Sequence, residues 1–233
     1  PGLLFIDTPG HETFSNLRRR GGSAADMAIL VVDTVKGVEP QTVESINILK
    51  ARKTPFVVAA NKIDLVPGMK HYEGASFLES YSKQLPEVQR ELDNRLYTII
   101  GTLSRLGFRS DRFDRVSDYK TTFAIVPISA KTGEGVPELL AVIVGLTQQF
   151  MKDELTTTSG SARGTVLEVK EEVGLGMTVN AIIYDGVLKV DDTVVLGGRE
   201  KPIVTSVRAI LVPKPLDEIR DPRDRFLSVS DVA

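Results

Sequence analysis

The 233-residue sequence contains no cysteine and no tryptophan. Without cysteine there are no disulfides and no thiolate metal sites, and residue usage carries no mark of secretion. Neither sign of charge dominates: 29 Lys and Arg stand against 31 Asp and Glu, for a net charge of -2. No global basic field therefore draws the chain onto nucleic acid, and any RNA contact has to be local. No run approaches the roughly 18 apolar residues of a membrane span, and no signal peptide is visible. A soluble cytoplasmic protein, without membrane partners, is the expectation. Missing tryptophan and sparse Asn and Gln are compatible with a thermophilic source. What is present is a hydrophobic fraction of 42%, enough for a core, in a length that suits one large domain or two smaller ones.

Three short motifs occur in order: Asp7-Thr8-Pro9-Gly10-His11, then Asn61-Lys62-Ile63-Asp64, then Ser129-Ala130-Lys131. Each follows an apolar run that reads as a buried strand, at 3–6, at 28–32 and 56–60, and at 123–128. Any one of them arises readily by chance. Together, each at the carboxyl end of a predicted strand, they point to a guanine-nucleotide site, because ligands of open α/β sheets bind outside those ends.

The residue types suit that chemistry. Asp7, at a strand end, fits an outer-shell ligand that holds a water on Mg²⁺, which takes few protein ligands. Gly10 has no side chain, so its backbone N–H can approach a phosphate. His11, one of two histidines, can orient a water attacking the γ-phosphate or take its proton. Guanine offers two adjacent donors that the Asp64 carboxylate accepts together, and adenine offers no such pair. Asn61 can tie the base loops together through its amide, and the stem of Lys62 can lie along the base. The backbone N–H of Ala130, between Ser129 and Lys131, can donate to the guanine carbonyl. His71 has no motif around it and reads as surface. The run Arg18-Arg19-Arg20 reads as a solvated helix face, with RNA phosphate as the functional alternative.

One motif is missing. No stretch matches the phosphate loop G-x-x-x-x-G-K-[ST] that should precede Asp7. The sequence therefore reads as the inside of a larger protein, cut at its front.

Residues 1–155 alternate strand and helix patterns, which argues a parallel doubly wound sheet. Helices are predicted at 14–20, at 40–52 with Pro at the first turn, and at 136–150. Between them, residues 67–122 form an insertion. Leu78, Tyr81, Leu85, Val88, Leu92, Leu96, Ile99, Leu103 and Leu106 recur at helical spacing there. Pro86 splits or starts a helix, Gly107 stops it, and the charged run 109–120 reads as a loop. Residues 156–162 read as a linker. From 163 to 233, short β-branched runs at 164–170, 177–184, 193–196 and 203–210, punctuated by glycine, suggest a small β-barrel that is itself cut short.

These motifs resemble the translational GTPases, in which a histidine follows the glycine of the first motif. The stretch from His11 to Gly21 looks like the subunit-joining initiation factors. The segments Ala181-Ile-Ile-Tyr-Asp-Gly-Val-Leu-Lys189, 211–220 and Asp221-Pro-Arg-Asp-Arg-Phe226 resemble their archaeal and eukaryotic form, the initiation factors five-B. The resemblance implies an α/β fold: a partial P-loop GTPase G domain followed by the β-barrel called domain II. It implies GTP or GDP and Mg²⁺ as ligands. It also implies the ribosome as partner, with contact to the large-subunit GTPase centre, the small subunit and rRNA. Initiator tRNA would be met only through C-terminal domains absent from these 233 residues. The missing phosphate loop implies that this chain alone is catalytically incompetent. The alternatives are a non-catalytic ribosome-binding module and another translational GTPase, such as an elongation or selenocysteine-tRNA factor.

Overall fold

The computed structural model describes residues 3–8, 25–150, 160–172, 175–198, 200–214 and 226–232. It divides into two compact units, Pro1–Glu154 and Leu155–Ala233.

The first unit is organised by Phe56-Val57-Val58-Ala59-Ala60, in which all five side chains are buried. A strand that is apolar on both faces needs a layer on each, and the chain supplies them. β1 (Ala28–Asp33), β2 (Phe56–Asn61), β3 (Ser110–Arg112) and β4 (Phe123–Pro127) form one parallel sheet in the order β1-β2-β4-β3. Alternate residues of β2 go to opposite faces. Phe56, Val58 and Ala60 join a cluster with Ile46 and Leu49 of α1 (Pro40–Arg52) and with the insertion helices. Val57 and Ala59 join a second cluster with Leu139 and Ile143 of α4 (Val136–Phe150). Helices thus cover both faces, as the alternating sequence pattern predicts.

Local signals set the helix limits. α1 starts with Pro40 at its first position and ends at Lys53, which takes the left-handed conformation at φ 58 and donates its N–H to the carbonyls of Leu49 and Lys50. The insertion carries α2 (Phe77–Ser82), capped by the Ser76 side chain, and α3 (Pro86–Arg105), with Pro86 in its first turn. Val88, Leu92, Leu96, Ile99 and Leu103 form the buried stripe of α3. Leu78 and Leu85, counted in the same predicted stripe, lie outside it at 43% and 53% exposure.

Two expectations are corrected. Residues 3–6 form no strand; they are irregular, with Leu3, Leu4 and Phe5 exposed. An apolar run becomes a strand only with a neighbour to bond to, and no described strand pairs with residues 3–6. The charged run 109–120 is not a plain loop. It contains β3 and a 3₁₀ turn (Phe113–Arg115). Its Arg112 is buried, forks onto Asp114 (Nε 2.6 Å, Nη2 2.9 Å), and reaches Asp93 at 2.9 Å. Charge hid the strand because a paired guanidinium can be buried as no lone one can.

Among its described residues the second unit contains strands and no helix. The described residues pair as four antiparallel two-stranded ladders: β5 (Arg163–Glu172) with β6 (Gly176–Asp185), β7 (Leu188–Lys189) with β12 (Asp231–Val232), β8 (Thr193–Leu196) with β9 (Ile203–Ser206), and β10 (Ile210–Pro213) with β11 (Phe226–Val229). The predicted run 203–210 is thus two strands, and the ladders are joined to one another by no described strand pairing. The predicted helix 14–20, the Arg18–Arg20 run, linker residues 156–159 and residues 215–225 lie outside the described residues.

Candidate functional site

Because the sheet is parallel, β1, β2 and β4 all end on one side. Their register puts Asp33 opposite Asn61 and Ala60 opposite Pro127. The loops that follow β2 and β4, carrying Asn61 to Asp64 and Ser129 to Lys131, therefore open next to each other. Ile63 N–H donates to Ile128 O at 3.2 Å, and Ile128 N–H to Ala60 O at 2.8 Å.

Side chains complete the junction. Asn61 Oδ1 accepts the N–H of Lys62 at 2.7 Å and that of Ala130 at 2.9 Å, so one amide oxygen holds both loops. The hydroxyl of buried Ser129 donates to Asp64 Oδ1 at 2.8 Å and accepts Thr132 N–H at 3.2 Å. The carboxylate of Asp64, half-buried, is thereby aimed by a residue 65 positions away. Ala130 and Lys131 are exposed.

Lys62 sits in the left-handed region at φ 70, a conformation unusual outside glycine, Asn and Asp. Its Nζ lies 2.7 Å from Asp33 Oδ2, which fixes the aliphatic stem at both ends. Burial alone would raise the Asp33 carboxyl. The hydrogen bond to Lys62 and the N–H groups of Lys36 and Val35 outweigh it and hold the carboxyl below its ordinary value. The same bond to Asp33 raises Lys62.

The sequence-predicted residues are thus brought together in part. Asn61, Lys62, Asp64, Ser129, Ala130 and Lys131 form one continuous surface at the strand ends. Asp7 is exposed in the irregular segment 3–8, and Gly10 and His11 lie outside the described residues. Among the described residues no group of three or more His, Cys, Asp or Glu side chains could hold a metal ion. The Ala130 N–H expected to meet a guanine carbonyl is already engaged by Asn61, and the neighbouring Lys131 N–H makes no bond to a described residue.

Sequence reasoning missed three residues here. Asp33 ends β1 and anchors Lys62; its signal was a carboxylate closing an apolar strand. Thr34 donates both its N–H and its hydroxyl to Asn61 O at 2.9 Å. Glu134 is fully buried beneath the second loop, where a Thr-Gly-Glu-Gly turn reads as surface.

A doubly wound sheet with two mutually bonded loops at its strand ends defines an α/β domain of the nucleotide-binding kind. The chain belongs to the family of the elongation factor Tu GTP binding domain, whose pattern matches residues 1–149. It is 60% identical over 232 residues to the probable translation initiation factor IF-2 of Staphylothermus marinus, and 58% identical over 233 residues to that of Methanopyrus kandleri. Each alignment covers 100% of this chain but only 38% and 39% of those relatives, so the chain spans under two-fifths of their length. The crystal structure of GDP-bound aIF5B from Aeropyrum pernix matches with a TM-score of 0.90 at 56% identity, over 100% of this chain and 39% of that one. A bacterial selenocysteine-specific elongation factor matches at a TM-score of 0.57 and 21% identity, over 96% of this chain and 30% of that one, which is a likeness of fold alone.

Proposed function

We propose that this chain carries the guanine-reading part of a translation initiation factor that binds and hydrolyses GTP and promotes ribosomal subunit joining. Residues 1–155 would be its G domain, 156–162 a linker and 163–233 the β-barrel domain II. The observation that carries the reading is the junction of the two loops. Asn61 holds Ala130, and Ser129 aims Asp64, which leaves an acceptor carboxylate near Lys131, whose N–H bonds no described residue. That is the complement of guanine: a pair of donors beside a carbonyl. Asp64 would accept the donors, the Ala130–Lys131 backbone would meet the carbonyl, and the tethered Lys62 stem would lie along the base.

Toward the phosphates, Asp7 is the carboxylate available to hold a Mg²⁺-bound water. One carboxylate fits an ion that keeps most of its waters and takes its other ligands from phosphate. Mg²⁺, when bound, neutralises charge developing on the phosphates. Gly10 would offer a backbone donor and His11 would orient the attacking water. Cytoplasmic residence and contact with both ribosomal subunits and their rRNA follow from the similarity to initiation factors. Initiator tRNA contact is assigned to parts of such factors outside these residues.

These 233 residues contain no G-x-x-x-x-G-K-[ST] phosphate loop, whose Lys and Ser/Thr supply the β/γ-phosphate and metal contacts. A polypeptide of this sequence is therefore expected to bind GDP weakly and to turn GTP over negligibly. The test is displacement of labelled GDP in magnesium by GTP, GDP and ATP. Displacement by the guanine nucleotides, with ATP at least about 100-fold weaker, is the expected result. Equal competition by ATP sinks the guanine reading, and multiple turnover by the chain alone sinks the expected incompetence.

A further inference from the structure

The second base loop has a back as well as a front. Its front meets Asn61 and Asp64. Its back is pinned to the insertion at four places. Gly74 N–H donates to Thr132 O at 2.9 Å, and Gly135 N–H to Ala75 O at 3.1 Å. Leu78 N–H donates to Glu138 Oε1 at 3.3 Å. The fourth link joins two side chains with no exposure at all: the hydroxyl of Ser80, on α2, donates to Glu134 Oε1.

That last link is chemically odd for mere filling. A fully buried carboxyl costs heavily in desolvation, and an apolar side chain would occupy the same space without that cost. Glu134 Oε2 meets no hydrogen-bond partner among the described residues, so among them the carboxyl is held by Ser80 alone. Its backbone, meanwhile, does a second job. Glu134 O accepts the N–H of Ser129 at 2.8 Å, and Ser129 is the residue whose hydroxyl aims Asp64. A continuous route runs from α2 through Ser80, Glu134 and Ser129 to the carboxylate that would read the base. Little slack exists along it: Gly135 stands at φ +76, and a Cβ there would lie 2.2 Å from Pro127 O.

We infer that Ser80 and Glu134 are positioning residues for base recognition, through which the insertion helix α2 sets the placement of the loop that carries Ser129 and Ala130. The inference rests on the guanine-nucleotide reading for its purpose, though its geometry is independent of any ligand. Ser80→Ala removes the donor. Glu134→Leu fills the space without an acceptor. Glu134→Gln keeps an oxygen acceptor and serves as the conservative rescue.

The experiment is amide hydrogen exchange, resolved by residue, on the 233-residue chain without nucleotide. The reporters are the bonded amides of Ser129, Ala130 and Gly133, with those of β2 as the reference. Ser80→Ala and Glu134→Leu are expected to speed exchange at the three loop amides about tenfold over any change in β2, because the loop opens locally while the sheet does not. Glu134→Gln should leave both near wild type. Loop amides that do not respond, or a rise shared equally with β2, overturn the inference, since the pair would then be plain packing. A GDP titration on the same proteins should show Kd about tenfold higher for Ser80→Ala, the binding counterpart of that local opening. If the wild type shows no measurable GDP binding while the loop amides respond as expected, the positioning stands and the weak binding expected of these 233 residues is not met.

Discussion

Arg112→Ala lowers the unfolding midpoint of the Pro1–Glu154 unit by roughly 6–12 °C, taking about 3 kcal/mol for the loss and 2–4 °C per kcal/mol for a unit of this size. Arg112 ties β3 to α3. Its side chain is 7% exposed, grips Asp114 with two nitrogens and Asp93 with a third, and lies over the rings of Tyr81 at 4.6 Å and Phe77 at 5.5 Å. Truncation leaves the Asp114 carboxylate without its fork and opens space against two aromatic faces. Asp93 keeps Arg115 and the Tyr81 hydroxyl, each at 3.0 Å, which holds the loss to the lower part of the range for broken buried pairs. Arg112→Lys keeps the charge but not the planar fork and should fall between the two.

The pH dependence follows from Asp114. Burial alone would raise its carboxyl, but the Arg112 hydrogen bond and charge outweigh that and hold it below the ordinary value. A depressed carboxyl contributes stability at pH values above its unfolded pKa and loses it as the pH falls through the folded one. Thermal melts of the wild type should therefore soften below about pH 4, the ordinary carboxylate value, and Arg112→Ala should lack that part of the decline. A variant that melts with the wild type at neutral pH removes Arg112 from the stability of this unit.

Asp64→Asn is expected to weaken GDP binding about 100-fold, which corresponds to losing about 3 kcal/mol from two charge-assisted hydrogen bonds. It should also reverse the base preference. An amide presents one acceptor and one donor, which suits xanthine, with its N–H beside a carbonyl, and not guanine, with its paired donors. The change is clean structurally, because the new amide oxygen can still accept the Ser129 hydroxyl that Asp64 accepts at 2.8 Å. Titration with guanosine and xanthosine diphosphates checks it. A variant that still prefers the guanine nucleotide excludes Asp64 as the base-reading acceptor.

The parts of the fold that were legible in the sequence carry their own local signals. Pro40 and Pro86 open α1 and α3, and the apolar run at 56–60 is buried on both faces. What failed depends on partners far along the chain. Residues 3–6 are as apolar as a strand and lack a bonded neighbour among the described residues. Arg112 looks like loop until Asp93 and Asp114 close on it. The loops of Asn61 and Ser129 could be named from sequence because their residue types are specific, and so could the tie through the Asn61 amide, whereas the Ser129 hydroxyl that aims Asp64 could not. Glu134 was invisible for the same reason, since its side-chain partner, Ser80, lies 54 positions earlier.

The order of the chain gives the site a timing. Asn61 and Ala130, which meet through one hydrogen bond, are separated by 69 positions, with the whole insertion between them. In synthesis at about 5–20 residues per second, Ala130 follows Asn61 by roughly 3–14 s. The backbone hydrogen bonds within α2 and α3 are local and can form within microseconds of those residues being made. β4 must then close a long loop to reach β2, where Val58 faces Ile125. For those seconds a nascent chain holds only half of the proposed base site, and α2 and the residues just before it wait for residues 132–138, to which they are pinned.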